Sequence, residues 1–133
     1  MKIATILPYK ENYTFSKAQA AAIWVSDFYK NSKYKKNNFI FGNTKTKDYL
    51  TKNYINIKIS NLKSKFTSTT KEYCDNFVKY AKNKEFDIIE IHNRPEVFNI
   101  LKPRFKSKSI ALAYEFSLKK DRKKRLSILK EHK

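Results

Sequence analysis

Glycine is nearly absent from this chain: Gly42 is the one glycine in 133 residues. Loops that cradle phosphate in the G-x-G-x-x-G or P-loop manner need several glycines, so both are excluded. Cysteine is equally scarce. The lone Cys74 excludes a disulfide framework and a cysteine-built zinc site, and its place among Tyr73, Phe77 and Val78 at helical spacing predicts a buried, inert thiol. The two histidines, His92 and His132, stand in different contexts with no paired-ligand spacing, so no metal and no cofactor is expected. No window approaches a membrane span, and the apolar part of Met1 to Pro8 is too short for a signal peptide, which predicts a cytoplasmic protein. Without a leader, the acceptor pattern Asn12-Tyr13-Thr14 predicts no glycosylation.

Acidic side chains are the other shortage. There are 12 against 30 basic ones, for a net charge of +18. Such a balance points to anionic partners, either nucleic acid or an anionic membrane surface. Its make-up weakens the first of these: Arg94, Arg104, Arg122 and Arg125 are the four arginines, and lysine lacks their bidentate fork for phosphate and base edges. The lysines are also spread along the chain rather than gathered on one element. Nucleic acid is therefore the lesser expectation.

What the chain does contain is a regular alternation of apolar runs. Ile3 to Leu7 reads as a first buried strand ended by Pro8, followed by a polar and aromatic loop from Tyr9 to Phe15. Ser16 and Gln19 have capping-box spacing, and Ala18, Ala21, Ala22, Val25, Phe28 and Tyr29 then repeat at helical intervals. Three small alanines allow that helix to approach a sheet closely, with its N-terminal dipole and free N–H groups directed at the ligand edge. Phe39 to Phe41 reads as a second strand. Ile55, Ile57 and Ile59 alternate with polar residues and predict a strand near the sheet edge. Thr69 and Glu72 form a second capping box before a helix through Ala81.

The most informative stretch is Asp87-Ile88-Ile89-Glu90-Ile91-His92-Asn93-Arg94-Pro95. It reads as a buried parallel strand, a polar turn, and a helix opened by Pro95 and stopped by Pro103, with a further strand at Ser109 to Leu112. The order β, α, β, β, α, β, α, β predicts one α/β domain, a mostly parallel Rossmann-like sheet with helices on both faces, over residues 1–112. Residues 119–133 carry eight basic and two acidic side chains, so 113–133 reads as a basic tail, either a solvated terminus or a basic helix on an anionic surface. In open parallel sheets ligands bind at the carboxyl ends of the strands, which makes His92, Asn93, Arg94 and Glu96 candidate contacts.

Three of these stretches, Ile3 to Pro8, the alanine-rich Lys17 to Val25 and Phe86 to Pro95, together resemble the amino-terminal domain of a GT-B glycosyltransferase of family 4. The likeness covers about the first 112 residues, and its most specific part is the Asp-hydrophobic-hydrophobic-x-x-His element at Asp87 to His92. It implies half of a GT-B fold that holds the glycan or glycolipid acceptor in cell-surface polysaccharide or lipopolysaccharide synthesis. A second Rossmann-like domain would hold the nucleotide-sugar donor, and the protein could lie against the inner face of the membrane. It also implies a catalytic role for His92 at the cleft, with Tyr9, Lys10, Asn12, Tyr13, Ser16, Asn93, Arg94 and Glu96 as substrate contacts.

The chain departs from that pattern in three places. The loop after the first strand has no glycine pair, Ala113-Tyr114-Glu115-Phe116 replaces a polar loop with a further histidine, and the chain is expected to stop short of a donor-binding domain. Transfer of a glycosyl group requires cations or preorganised donors around a departing diphosphate, so half a cleft is expected to be inactive alone. A truncated gene product and one subunit of an enzyme completed in trans are both expectations of this reading. The alternative expectation is a basic α/β nucleic-acid-binding module with its cations gathered on one face.

Overall fold

A computed structural model of the protein describes residues 1–60, 68–105 and 109–113. The expected tail over 113–133 lies outside the described residues from position 114 on. Among the described residues ten short elements follow one another, and the strand and helix order matches the periodicity of the sequence. Strands β1 (Ile3–Ile6), β2 (Asn38–Gly42), β3 (Tyr54–Asn56), β4 (Ile88–His92) and β5 (Ser109–Ala113) form one sheet in the order β3-β2-β1-β4-β5. Every neighbouring pair is parallel. Helix α1 (Ala20–Asn31) links β1 to β2, α2 (Thr69–Ala81) precedes β4, and α3 (Pro95–Leu101) links β4 to β5.

The β-branched, apolar character of β1 and β4 explains their central place. In a sheet covered on both faces a strand needs no polar side, and Ala4 and Ile6 in β1, like Ile89 and Ile91 in β4, are fully buried or nearly so. Because successive side chains point to opposite faces, these four with Phe41 and Ile110 meet α2 and α3 through Tyr73, Cys74, Phe77, Ala81, Val97 and Leu101. Leu7 and Ile40 meet α1 on the other face, with Ala22, Val25, Tyr13 and Tyr54. Small Ala21 and Ala22, both 0% exposed, let α1 lie close to the strands. Two separate apolar layers thus sandwich one sheet, which is the Rossmann-like architecture the alternation predicts.

Several element ends differ from the expectation. α1 begins at Ala20 rather than beside Ser16, and its cap residue Gln19 makes no side-chain cap bond. Phe28, expected on the buried face, is about half exposed and stacks on Trp24 with ring centroids 5.3 Å apart. At α2 the cap is Ser68, whose hydroxyl accepts the Lys71 amide at 3.1 Å, while Glu72 lies one position too deep for the box and accepts the Ser60 amide at 2.6 Å. β3 is indeed an edge strand, but shorter than the isoleucine alternation suggests. β5 extends through Ala113, one residue past the expected domain boundary.

Cys74 is buried as expected. Burial pushes its thiol up to about 12, so the thiolate that would react is suppressed at neutral pH. Tyr73, also fully buried, spends its hydroxyl inside the fold: it donates to the Leu7 carbonyl at 2.7 Å, tying α2 to the end of β1.

Gly42 closes β2 with negative φ, so its need is space rather than backbone freedom. A Cβ there would stand 2.8 Å from the Tyr54 hydroxyl oxygen and 3.2 Å from its ring. That ring cannot swing aside, because it stacks on Tyr13 at 5.2 Å and its hydroxyl contacts Thr44 and Asn56 at 2.9 and 3.0 Å. Gly42→Ala is therefore expected to cost about 1–3 kcal/mol of overpacking strain in urea unfolding. An unchanged midpoint would show that Tyr54 yields freely.

Candidate functional site

The sheet order places one topological feature at the centre of the molecule. β1 passes through α1 toward β2 on one side, whereas β4 passes through α3 toward β5 on the other. Chains leaving the carboxyl ends of β1 and β4 therefore diverge, and the gap between them is where open parallel sheets hold ligands. The Pro8-to-Gln19 loop leaves one side of this gap and the His92-Asn93-Arg94 turn leaves the other. Since β1 and β4 pair directly, with Ile6 opposite Ile91, the two groups of candidate residues lie at one edge.

The loop after β1 is built as a firm rim. Thr14 forms an antiparallel bridge with Tyr49, the Phe15 amide donates to the Asp48 carbonyl at 3.0 Å, and the Leu50 amide donates to the Tyr13 carbonyl at 3.2 Å. The Tyr13 amide donates to the Thr44 hydroxyl at 3.0 Å, and the Lys45 amide donates to the Asn12 side-chain oxygen at 3.4 Å. The loop after β2 thus splints the loop after β1. Lys10, Phe15 and Ser16 remain exposed on this rim, with Tyr9 and Asn12 half-buried. Tyr9 packs near Tyr73 at 6.2 Å and carries the Lys10 ammonium 5.6 Å above its ring.

Tyr13 is a correction to the expected contacts. It is 0% exposed, its hydroxyl is shared with Thr51 at 3.1 Å, and burial pushes that hydroxyl up to about 12. Its ring is core on the α1 side, not rim. Ser16 is exposed but does not cap α1: its amide donates to an Asp48 carboxylate oxygen at 2.8 Å. One of the N–H groups expected to be free at the start of α1 is occupied. The Ala22 amide donates to Oε1 of Glu11 at 3.0 Å, and Glu11 is only 7% exposed. A buried carboxylate already stands at this helix start, where the dipole favours negative charge.

On the β4 side the turn has strained geometry. Asn93 is the one described non-glycine residue with positive φ, at 54°, a left-handed conformation that asparagine tolerates and β-branched residues do not. Its amide donates to the Ala113 carbonyl at 2.8 Å, which locks the turn to β5. Arg94 follows as the cap residue of α3, its carbonyl accepting the Phe98 amide at 3.2 Å, and Pro95 opens the helix where its missing N–H costs nothing. Asn93 and Arg94 are half-buried and Glu96 is exposed, so all three reach the edge.

His92 takes a different position. It closes β4 at the right end of the strand, but its side chain is 0% exposed on the face covered by α1. Nε2 lies against Oε1 of Glu90, and the ring meets Trp24 of α1 at 5.6 Å. Burial removes His92 from direct contact with a ligand at the edge in this arrangement. Its side chain thus packs between β4 and α1, against Glu90 and Trp24.

Glu11, Asp48 and Glu90 are residues that sequence reasoning missed. Glu90 had a signal: a spacing of two along a strand puts it on the face of His92. Glu11 and Asp48 had none, because their partners come from distant loops. Among the described residues there is no group of three histidine, cysteine or acidic side chains able to hold a metal, and no helix long and apolar enough to cross a membrane. Compared with known proteins, the chain matches no family model, no curated protein and no solved structure.

Asp48 gives the rim a pH dependence. The hydrogen bond from Thr46, with that from Ser16, lowers its carboxyl from 3.8 to about 2. A carboxyl depressed in the folded state stabilises above its unfolded value and loses that contribution as pH falls through its folded one. Protection of the Ser16 amide from hydrogen exchange is thus expected to weaken between about pH 4 and pH 2, and Asp48→Asn should show the weakened state at neutral pH. Equal protection in both proteins would remove Asp48 as the splint.

Proposed function

We propose that this chain is the acceptor-side half of a sugar transferase, presenting a glycan or glycolipid to a nucleotide-sugar held by a second Rossmann-like unit. The observation that carries the reading is the divergence of β1 and β4, whose departing segments carry Lys10, Asn12 and Ser16 after β1 and Asn93, Arg94 and Glu96 after β4. Sugars are recognised by mixed hydrogen-bond donors and acceptors on a rigid frame, together with aromatic faces. The rim supplies amide, hydroxyl, guanidinium, ammonium and carboxylate groups, with Tyr9 and the exposed Phe15 beside them. The resemblance of Phe86 to Pro95 to family 4 enzymes supports the same reading in its strand and turn, while the buried His92 departs from the cleft position that the resemblance implies.

In this reading each side chain has a separate task. Arg94 and Asn93 fix the acceptor from the β4 side, because their turn is locked to β5 by the Asn93 amide. Lys10 and Asn12 hold it from the β1 side. His92 keeps the turn in register through its packing on Trp24 and Glu90. It acts as a positioning residue. The donor half would supply the groups that stabilise the departing diphosphate, which is where glycosyl transfer requires the most electrostatic help.

Binding distinguishes this reading from the nucleic-acid alternative. A neutral oligosaccharide is expected to bind, with Arg94→Ala or Asn12→Ala weakening it roughly 10-fold, as loss of one orienting hydrogen-bonding group implies. Its affinity should change little with salt, whereas single-stranded DNA bound to scattered lysines should be lost steeply as salt rises. Salt-sensitive DNA binding that is insensitive to Arg94 and Asn12, with no oligosaccharide binding, would defeat the proposal.

A further inference from the structure

The start of the first helix is where a Rossmann-like fold ordinarily offers backbone N–H groups and a positive dipole end to a phosphate. In this protein that place is filled from within. Glu11 projects from the β1 to α1 loop, is 7% exposed, and accepts the Ala22 amide at 3.0 Å. The helix has no acidic residue in its own first turn and no side-chain bond from its cap residue Gln19. Glu11 therefore does from a distance what a local cap would do.

Its position is clamped on both sides along the chain. The Glu11 amide donates to the Pro8 carbonyl at 2.9 Å, and two residues later Tyr13 is buried with its amide on Thr44 at 3.0 Å. Thr14, bridged to Tyr49, extends the clamp. The backbone on either side of Glu11 is thereby held to the rim. A phosphate arriving at this helix would meet a carboxylate of like charge in a water-poor place, and displacing it would strand a buried charge.

We infer that Glu11 is a resident anion that closes the N-terminus of α1 to phosphate-bearing ligands and so selects for uncharged, hydroxyl-rich ones at this edge. The exclusion of phosphate stands on the geometry, and only the identity of the admitted ligand rests on the acceptor-side reading. The chain's own carboxylate replaces the glycine-rich turn. That turn would bring backbone to a diphosphate, and the loop between β1 and α1 has no glycine with which to form it.

The test is an amide-resolved NMR titration with inorganic pyrophosphate at constant ionic strength, on the wild type, Glu11→Ala and Glu11→Gln. In the wild type the Ala21 and Ala22 amides should stay still. Glu11→Ala should gain a saturable shift at those amides and a melting temperature that rises with pyrophosphate more than with chloride. Glu11→Gln, which keeps the volume without the charge, should melt below the wild type and gain a weaker shift with pyrophosphate than Glu11→Ala. A saturable wild-type shift at Ala22 overturns the inference, and so does a folded Glu11→Ala that gains nothing. If Glu11→Ala does not fold in either salt, the wild-type titration and Glu11→Gln decide, and Glu11→Gln melting with the wild type overturns it. Failure of oligosaccharide binding would defeat the acceptor reading while leaving the wild-type result with pyrophosphate as it stands.

Discussion

Parallel pairing of β1 on both of its edges is the constraint on which the rest of the molecule depends. Ile3 to Ile6 hydrogen-bond β2 on one side and β4 on the other, in a register that puts Ile6 between Phe41 and Ile91. A parallel neighbour can be reached only by a crossover, and crossovers of one hand that run in opposite directions must lie on opposite faces. Hence α1 covers one side of the sheet while α2 and α3 cover the other. Hence too the chains leaving β1 and β4 part company, and a polar gap opens above two strands that are themselves wholly apolar on their α2 face. The function proposed for the chain is a consequence of that parting.

The rim around the gap is held by polar groups that the core itself accommodates. Tyr73 donates to the Leu7 carbonyl where β1 ends, Tyr54 bonds Thr44 and Asn56, and Tyr13 stacks on Tyr54 while its amide meets Thr44. Each of these hydroxyls is buried, and a buried hydroxyl without a partner would cost about 1–3 kcal/mol, so the set specifies one arrangement of the loops. Asn93, in a conformation most side chains avoid, fixes the opposite bank. Two stiff banks on a stiff sheet suit a site that orients a ligand. The same stiffness keeps Glu11 pressed against the start of α1, so that positioning and selection come from one set of contacts.

Much of this was legible in the residues. Ile89 and Ile91 in β4 and Ile40-Phe41 in β2 are apolar and buried as their runs predict, Pro95 announces a helix start, and a helix with alanines on its inner face implies close contact with a sheet. What stayed hidden was decided by partners remote in sequence. Ser16 and Gln19 have the spacing of a cap, yet the carboxylate that serves α1 comes from Glu11, and Ser16 is drawn instead to Asp48. Ser68 and Thr69 compete for one cap position with nearly equal chemistry, so a shift of one residue was not readable. Tyr13 looks like a loop aromatic until Tyr54 and Thr51 are brought beneath it. His92 was correctly placed at a strand end, but which face it occupies and that Trp24 covers it depend on the packing of α1, which no local pattern encodes.

The most direct measurement is a residue-resolved amide-shift map of the protein titrated with a neutral oligosaccharide. Saturable shifts are expected on both banks of the gap, at Lys10, Asn12 and Ser16 and at Asn93, Arg94 and Glu96. The amides of β3, on the far edge of the sheet, should stay unmoved. Shifts on one bank only, or scattered over the lysine-bearing surface, would contradict the proposed site, because the gap between β1 and β4 would then not be the place where this fold holds its ligand.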